Sequence, residues 1–215
     1  MPRCSCGGVC GRLLYDPPVP ADLKIIRKSS FAATPWKNGG GITHEAIRVP
    51  AGGDAFLWRV SVAHIDSSGP FSDFAGYSRN MVLLRGSGLT LEFADGGRRV
   101  LRRIGESAQF DGAMATHCEL LDGPCVDLNF MVSKAVQADS RVLPLEGILT
   151  VPASSKTALI FSIEAPLSLD ADAGEAVRLD PWDLAVVSHG TARLSRLPAG
   201  DLSAPSTVFF ATISD

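Results

Sequence analysis

Short apolar runs alternate with glycine-, proline- and aspartate-rich turns along nearly the whole of this chain, and that rhythm leaves few folds open. In "AFLWRVSVAHI" (55–65), Phe56, Trp58, Val60 and Val62 fall on one face, and Leu57, Arg59, Ser61 and Ala63 on the other. Alternation with a period of two is the mark of a β-strand. "MVLLRGSGLTLEF" (81–93) reads as a hairpin turning at Gly86-Ser87-Gly88. "ADGGRR" (94–99) is the next turn, "RVLRRI" leads onward, and "LLDGPCVDLNFMV" (120–132) is a turn followed by a strand. The same alternation continues through "RVLPLEGILTV", "TALIFSIEA", "AVRLDPWDLAVVS", "TARLSRL" and "STVFFATIS". No stretch keeps a 3.6-residue period over three turns. Strands at this spacing predict an all-β sandwich or barrel.

Bulk properties narrow the function classes. The 215 residues suit one large β unit or two small fused ones, and 46% hydrophobic content supplies a core. Net charge is −3 with lysines and arginines dispersed, which argues against nucleic acid as a partner. No apolar run approaches the ~18 residues of a membrane span, and the first residues lack the apolar stretch of a secretion signal. Five cysteines, an odd count, then point to reduced thiols and a cytoplasmic location. "CSCGGVC", holding Cys4, Cys6 and Cys10, could be read as a metal knuckle, but zinc wants four ligands at paired spacings and no second pair follows. With the prolines of "YDPPVPAD", residues 1–22 read better as a flexible leader.

A duplication is hinted at. "GGRRVLRRIGESAQFDG" (96–112) and "AGEAVRLDPWDLAVVSHG" (173–190) share the order glycine turn, short strand, polar turn, apolar strand, glycine. Two small barrels joined near "SKAVQADS" (133–140) would produce it.

The densest motif is "TPWKNGGGITHE" (34–45). It is no P-loop, because Lys37 precedes the glycines and no helix pattern follows. It is no dinucleotide fingerprint, because Gly39, Gly40 and Gly41 are contiguous. A metal site would need clustered ligands, yet His44, His64, His117 and His189 are scattered and no H-x-H or H-E-x-x-H occurs. What remains is backbone geometry: glycines that let the chain pass close to another surface, a stiffening Pro35, an anchoring Trp36, and Lys37 and Asn38 held in place beside them. Such a loop either presents these side chains or seals a barrel end.

The words "PWKNGGGIT-E", "WRVSVAHIDSSGPFSDFAGYSR", "LLRGSG" and "LDGPCVDLNFM", in that order, resemble the HutD/Ves family. The resemblance runs from about residue 23 to the C-terminus and is densest over 35–131. It implies a bicupin, two cupin-like (RmlC-like jelly-roll) β-barrels in one chain, the first over 23–133 and the second over 134–215. It also implies a small-molecule-binding or regulatory protein of bacterial histidine utilisation, or of stress responses in the Ves branch, with no established reaction. Two departures stand out: Thr43-His44-Glu45 where members often carry Thr-Arg-Glu, and "QFDGAMATHCEL" where an aromatic–Ser–Gly turn is usual. The metal-binding histidine words of cupin enzymes are missing, so no metal or other cofactor is expected.

Arg59 is the first candidate for ligand contact, because Ser61 and Ala63 on its face leave room for a carboxylate held by two parallel hydrogen bonds. Urocanate and formylated or formiminated glutamate are carboxylates of the pathway that the resemblance implies. The alternative is that Arg59 faces solvent or pairs with Asp127. Asn38 could orient a ligand or cap its own turn, and Lys37 could contact an anion or remain solvated. In "GPFSDFAGYSR", Phe71, Phe74 and Tyr77 could form a lid or pack beneath the loop, and Arg79 could be a second anion anchor or a clamp on it. Asp127 and Asn129 alternate with Val126, Leu128 and Phe130 and could point into a barrel. His64 reads as packing or surface, and Trp182 as core of the second barrel. Cys118 beside His117 forms no dyad, because neighbours on a strand point oppositely, and no G-x-S-x-G elbow exists. A cytosolic binder of a small carboxylate is the leading expectation. A cupin-type enzyme acting on a small acid or sugar, possibly with metal, and a structural module whose sheet edges make a homodimer, are the alternatives.

Overall fold

The computed structural model describes residues 22–152, 156–171, 176–197 and 206–214, which leaves Cys4, Cys6, Cys10 and nearly all of the leader outside the described part. The strands of the first half are β1 (Asp22–Ile26), β2 (Ala32–Pro35), β3 (Gly41–Val49), β4 (Trp58–Ile65), β5 (Gly69–Pro70), β6 (Tyr77–Arg85), β7 (Leu89–Phe93), β8 (Arg98–Leu101), β9 (Ser107–Asp111), β10 (Thr116–Leu120) and β11 (Cys125–Ser133). The second half adds β12 (Gln137–Pro144), β13 (Ile148–Pro152), β14 (Thr157–Ser162), β15 (Leu167–Ala171), β16 (Val177–Leu179), β17 (Leu184–His189), β18 (Thr191–Arg196) and β19 (Thr207–Ser214). A single 3-10 turn, Lys28–Ser30, is the only helical element among the described residues. None of their helices is long and apolar enough to cross a membrane.

The strands form four sheets. In the first half they are β2-β3-β4-β11-β6-β9 and β5-β10-β7-β8; in the second they are β1-β17-β14-β19-β12 and β13-β18-β15-β16. Read from the chain's midpoint, β12-β19-β14-β17 repeats the order β4-β11-β6-β9, and β13-β18-β15-β16 repeats β5-β10-β7-β8. The two stretches suggesting a duplication occupy matching places in this plan, β8–β9 and β16–β17.

Three apolar layers follow from the period-two alternation. The two large sheets pack back to back through Trp58, Val60, Val62, Leu128 and Phe130 on one side and Leu159, Phe161, Leu184 and Phe209 on the other. Each large sheet then covers its own small sheet. Ile65, Met81, Leu83, Leu89, Leu91 and Cys118 fill the first barrel, and Ile160, Leu167, Leu169, Ala185, Leu194 and Phe210 the second. Each leucine, isoleucine, methionine or phenylalanine so buried is worth about 1.5–3 kcal/mol.

Four expectations need correction. Residues 81–93 are not a hairpin: β6 belongs to the six-stranded sheet and β7 to the small one, so the turn carries the chain between layers. Gly86 (φ +109°) makes this possible, because a Cβ there would lie 2.6 Å from Cys125 Sγ and 2.7 Å from the Pro124 carbonyl. Second, "TPWKNGGGITHE" is a hairpin rather than a loop alone, with β2 paired to β3 across residues 36–40. Third, β1 lies outside the first barrel that a boundary at residue 23 would give it to; it pairs antiparallel with β17 in the second half's sheet. Fourth, Trp182 belongs to the layer between the two large sheets, not to the second barrel's interior.

Candidate functional site

Strand register assembles a polar set inside the first barrel. Across the six-stranded sheet Arg48, Arg59, Met131, Arg79 and Phe110 form one row. Two residues along lies Glu45–Ser61–Asn129–Met81–Ala108, and beyond it Thr43–Ala63–Asp127–Leu83. Alternate rows share a face, here the one turned to the small sheet. A bulge at Glu45/Ile47 adds one residue to β3, so Glu45 and Arg48 reach the same face although three apart.

Arg79 is 7% exposed, Asn129 7%, and Asp127 and Ser61 1%. Arg79 Nε donates to Asn129 Oδ1 at 3.3 Å, and Asn129 Nδ2 donates to Asp127 Oδ1 at 3.3 Å. The expected Arg59–Asp127 pair does not form. Register sets Arg59 opposite Met131 and Asp127 opposite Ala63, so Asp127 meets Arg79 instead, through Asn129. Arg59 Nη2 lies 3.1 Å from Met131 Sδ, a weak acceptor. Its Nη1 is 4.0 Å from Glu45 Oε2, and its buried Nε has no partner. Glu45 is already engaged, accepting from Arg48 Nε at 3.1 Å and Nη2 at 2.9 Å.

Aromatic rings roof both guanidinium groups. Arg79 Cζ sits 5.2 Å from the Phe71 ring centre, 5.6 Å from Phe74 and 5.0 Å from Phe110. Arg59 Cζ sits 5.3 Å from Phe56 and 5.2 Å from Phe74. Phe74 thus stands over both cations, within cation–π range. Burial dominates the electrostatics. It lowers Arg79 to about 10 against the opposing pull of Asp127, and it lowers Arg59 against that of Glu45. It raises Asp127 to about 7 despite Arg79 and Asn129. Both arginines therefore stay cationic at neutral pH, while the one fully buried carboxylate among them is disfavoured as an anion.

The glycine-rich turn supports this site from outside. Lys37 and Asn38 are exposed, and Asn38 Oδ1 accepts the Gly40 N–H at 3.0 Å, closing its own turn. Gly41 admits no side chain, because a Cβ would lie 2.2 Å from the His64 carbonyl oxygen. Trp36 Nε1 donates to Thr43 Oγ1 at 2.8 Å, and its ring meets Phe71 edge-on at 6.3 Å. The motif thus acts through Trp36 on Phe71, and through Phe71 on Arg79.

Of the candidates named from sequence, Arg59, Ser61, Phe71, Arg79, Asp127 and Asn129 come together; Lys37 and Asn38 stay at the rim of the hairpin. Glu45, Met131, Phe56 and Phe110 join the site unanticipated. The bulge that turns Glu45 inward breaks the very alternation that would have revealed it, and Phe110 lies on the edge strand β9. Cys118 is buried, its thiol pushed up to about 12 by burial, while His117 is exposed. No group of three or more histidine, cysteine or acidic side chains able to hold a metal ion forms among the described residues, so the donor set of a metal-dependent cupin is not assembled there.

The family model for HutD matches residues 28–203. The chain belongs to the HutD family. A 21.2 kDa protein encoded in the hutC 3′ region of Pseudomonas putida is 33% identical over 164 residues, which cover 76% of this chain and 85% of that protein. Protein Ves of Escherichia fergusonii is 34% identical over 97 residues, 45% of this chain and 50% of Ves. Among solved structures, a conserved protein of unknown function from Pseudomonas aeruginosa PAO1 superposes with a TM-score of 0.79 at 30% identity, covering 90% of this chain and all of that one. HutD from Pseudomonas fluorescens SBW25 gives 0.71 at 27%, with the same coverage. An oxalate decarboxylase from Lactobacillus farciminis, 9% identical at a TM-score of 0.54 and covering 88% of this chain and 85% of that one, shares the all-β cupin fold alone.

Proposed function

We propose that this HutD-family protein is a regulatory ligand-binding protein of histidine utilisation that takes a small carboxylate into its first barrel. The observation that carries the reading is the imbalance beneath Phe74: two guanidinium groups whose donors are largely unspent, beside an aspartate that burial drives toward its neutral form. Buried arginine donors without acceptors are costly. A ligand carboxylate would accept from Arg59 and Arg79, and Asn129 and Asp127 would keep Arg79 oriented. Phe71 and Phe74 would swing aside to admit the ligand and then cover it. The resemblance makes urocanate, formylglutamate and formiminoglutamate the acids to try, and the P. putida relative's place in the hutC region supports that choice.

The test is calorimetric titration with these three acids and histidine, on wild type, Arg59→Ala and Arg79→Met, each checked for folding by circular dichroism. Loss of one charge-assisted pair weakens binding more than about tenfold. Saturable binding to wild type with that loss in both variants is the expected result. A folded wild type that binds none of the four removes this ligand class.

A further inference from the structure

The back of the same sheet carries a second concavity, with different chemistry. A cavity of about 300 Å³ opens at the seam between the two halves, bounded by Lys28, Phe31, His44, Val62, His64 and Trp182. Three separate parts of the chain build it. Lys28 and Phe31 come from the short segment between β1 and β2, His44 and His64 from β3 and β4, and Trp182 from the loop that joins β16 to β17 in the other half. Its volume is at the small end of ligand pockets.

The cavity is cationic and aromatic at once. Lys28 Nζ lies 4.0 Å from the Trp182 ring centre and Arg85 Cζ 5.3 Å from it. Among the described residues no carboxylate forms an ion pair with either cation. Asp183, the nearby acid, is committed elsewhere: it accepts from Arg27 Nη1 at 2.7 Å and from the backbone N–H groups of Lys28 at 2.9 Å and Asp180 at 3.1 Å. The His44 and His64 rings stand 5.1 Å apart. Burial first, then His44, Arg85 and Lys28, keep His64 below its ordinary pKa, with Asp66 alone opposing. Trp182 itself is held in a backbone conformation that bulky residues avoid, at φ +73°, fixed by its N–H donating to the Ser162 carbonyl at 2.6 Å. Strain of this kind persists where the surroundings impose it, and it concentrates at ligand sites.

We propose that this seam cavity is a second ligand site, for a small planar aromatic anion of the benzoate type. The ring fits between Trp182, Phe31, Val62 and the imidazoles, and the carboxylate meets Lys28 and His64. Such a ligand braces the two halves against each other. A bound carboxylate offsets the burial and the cationic neighbours that hold His64 down, so His64 takes up a proton with the ligand and binding tightens as pH falls.

The test is titration of the full chain with benzoate at pH 6 and pH 8, followed by tryptophan fluorescence and by the shift in Tm. The variants are Lys28→Met, His64→Gln and Arg79→Met. Saturable binding is expected, tighter at pH 6, with Tm raised. Lys28→Met and His64→Gln weaken it by about tenfold, the loss of one charge-assisted contact, and His64→Gln flattens the pH dependence. Arg79→Met leaves a Lys28-dependent site in place. Absence of saturable binding by the folded wild type at both pH values overturns the proposal. So does binding that Arg79→Met abolishes and Lys28→Met leaves intact, which assigns benzoate to the first barrel.

Discussion

On β4, β6 and β11 the first barrel turns Arg59, Ser61, Arg79, Asp127 and Asn129 inward. At the matching places on β12, β14 and β19 the second turns in Leu143, Ala158, Ile160, Val208 and Phe210, and β17, the counterpart of β9, adds Ala185 and Val187. Register aligns the contrast closely: Met81 opposes Asn129 in the first barrel, and Ile160 opposes Phe210 in the second. The strand order is the same, so topology does not decide what a barrel holds. A buried ionic set rarely adds stability over well-packed apolar side chains. The second barrel and the shared middle layer can carry the fold, leaving the first barrel's interior free for chemistry that does not stabilise it.

Exchanging the chemistry of the two interiors is the sharpest test of that division. Leu194→Arg would place an unpartnered charge where Leu194 is fully buried among Leu167, Leu169 and Phe210. The variant is expected not to fold, as read by a lost cooperative melt. Arg79→Met, the reverse exchange, keeps a cooperative melt close to wild type while abolishing carboxylate binding. An Arg79→Met chain that fails to fold would show that the first barrel's charges are structural.

A smaller effect tests the hairpin β2–β3, which has no counterpart among the described residues of the second barrel. Gly41→Ala forces a methyl against the His64 carbonyl. Overpacking of this kind costs about 1–3 kcal/mol, measurable by urea denaturation, and carboxylate affinity should fall with it because Trp36 and Glu45 move. Unchanged affinity in the destabilised variant would separate the hairpin from the site.

A further effect, read through pH, concerns Asp127. Its folded pKa of about 7 lies above the ~3.9 of an unfolded aspartate. Between those values the folded protein holds a proton that the unfolded chain has released, so stability falls as pH rises from about 4 to about 7. Asp127→Asn should melt with wild type near pH 4 and above it at pH 8. A wild-type Tm that does not fall relative to the variant over that range would mean that Arg79 keeps the carboxylate ionised.

Much of this architecture was legible in the sequence, because strand alternation is local. It placed Arg59 with Ser61 and Ala63, and Asp127 with Asn129, on the faces they occupy. The weak echo between 96–112 and 173–190 marked a real correspondence of strands. What stayed hidden was non-local. A Gly-Ser-Gly turn looks the same whether it closes a hairpin or carries the chain to another layer, and only the closeness of Cys125 to Gly86 distinguishes the two here. The Arg59–Asp127 pairing failed because a shared face does not fix register; Asp127 sits two rows from Arg59. The bulge in β3 concealed Glu45. Trp182 looked like core of the second barrel because its seat against Lys28 depends on a segment more than a hundred residues earlier.

The position of β1 bears on how the chain is made. Ile26 and Leu23 pair with Leu184 and Val187, so among the described strands the first to be synthesised waits for one of the last. Contacts this distant in sequence form late and slowly. Until β17 is synthesised, β1 is an unpaired strand with Leu23, Ile25 and Ile26 exposed, the kind of segment that invites association with other nascent chains. A chain stopped before residue 184 could complete its first barrel and still carry a sticky end.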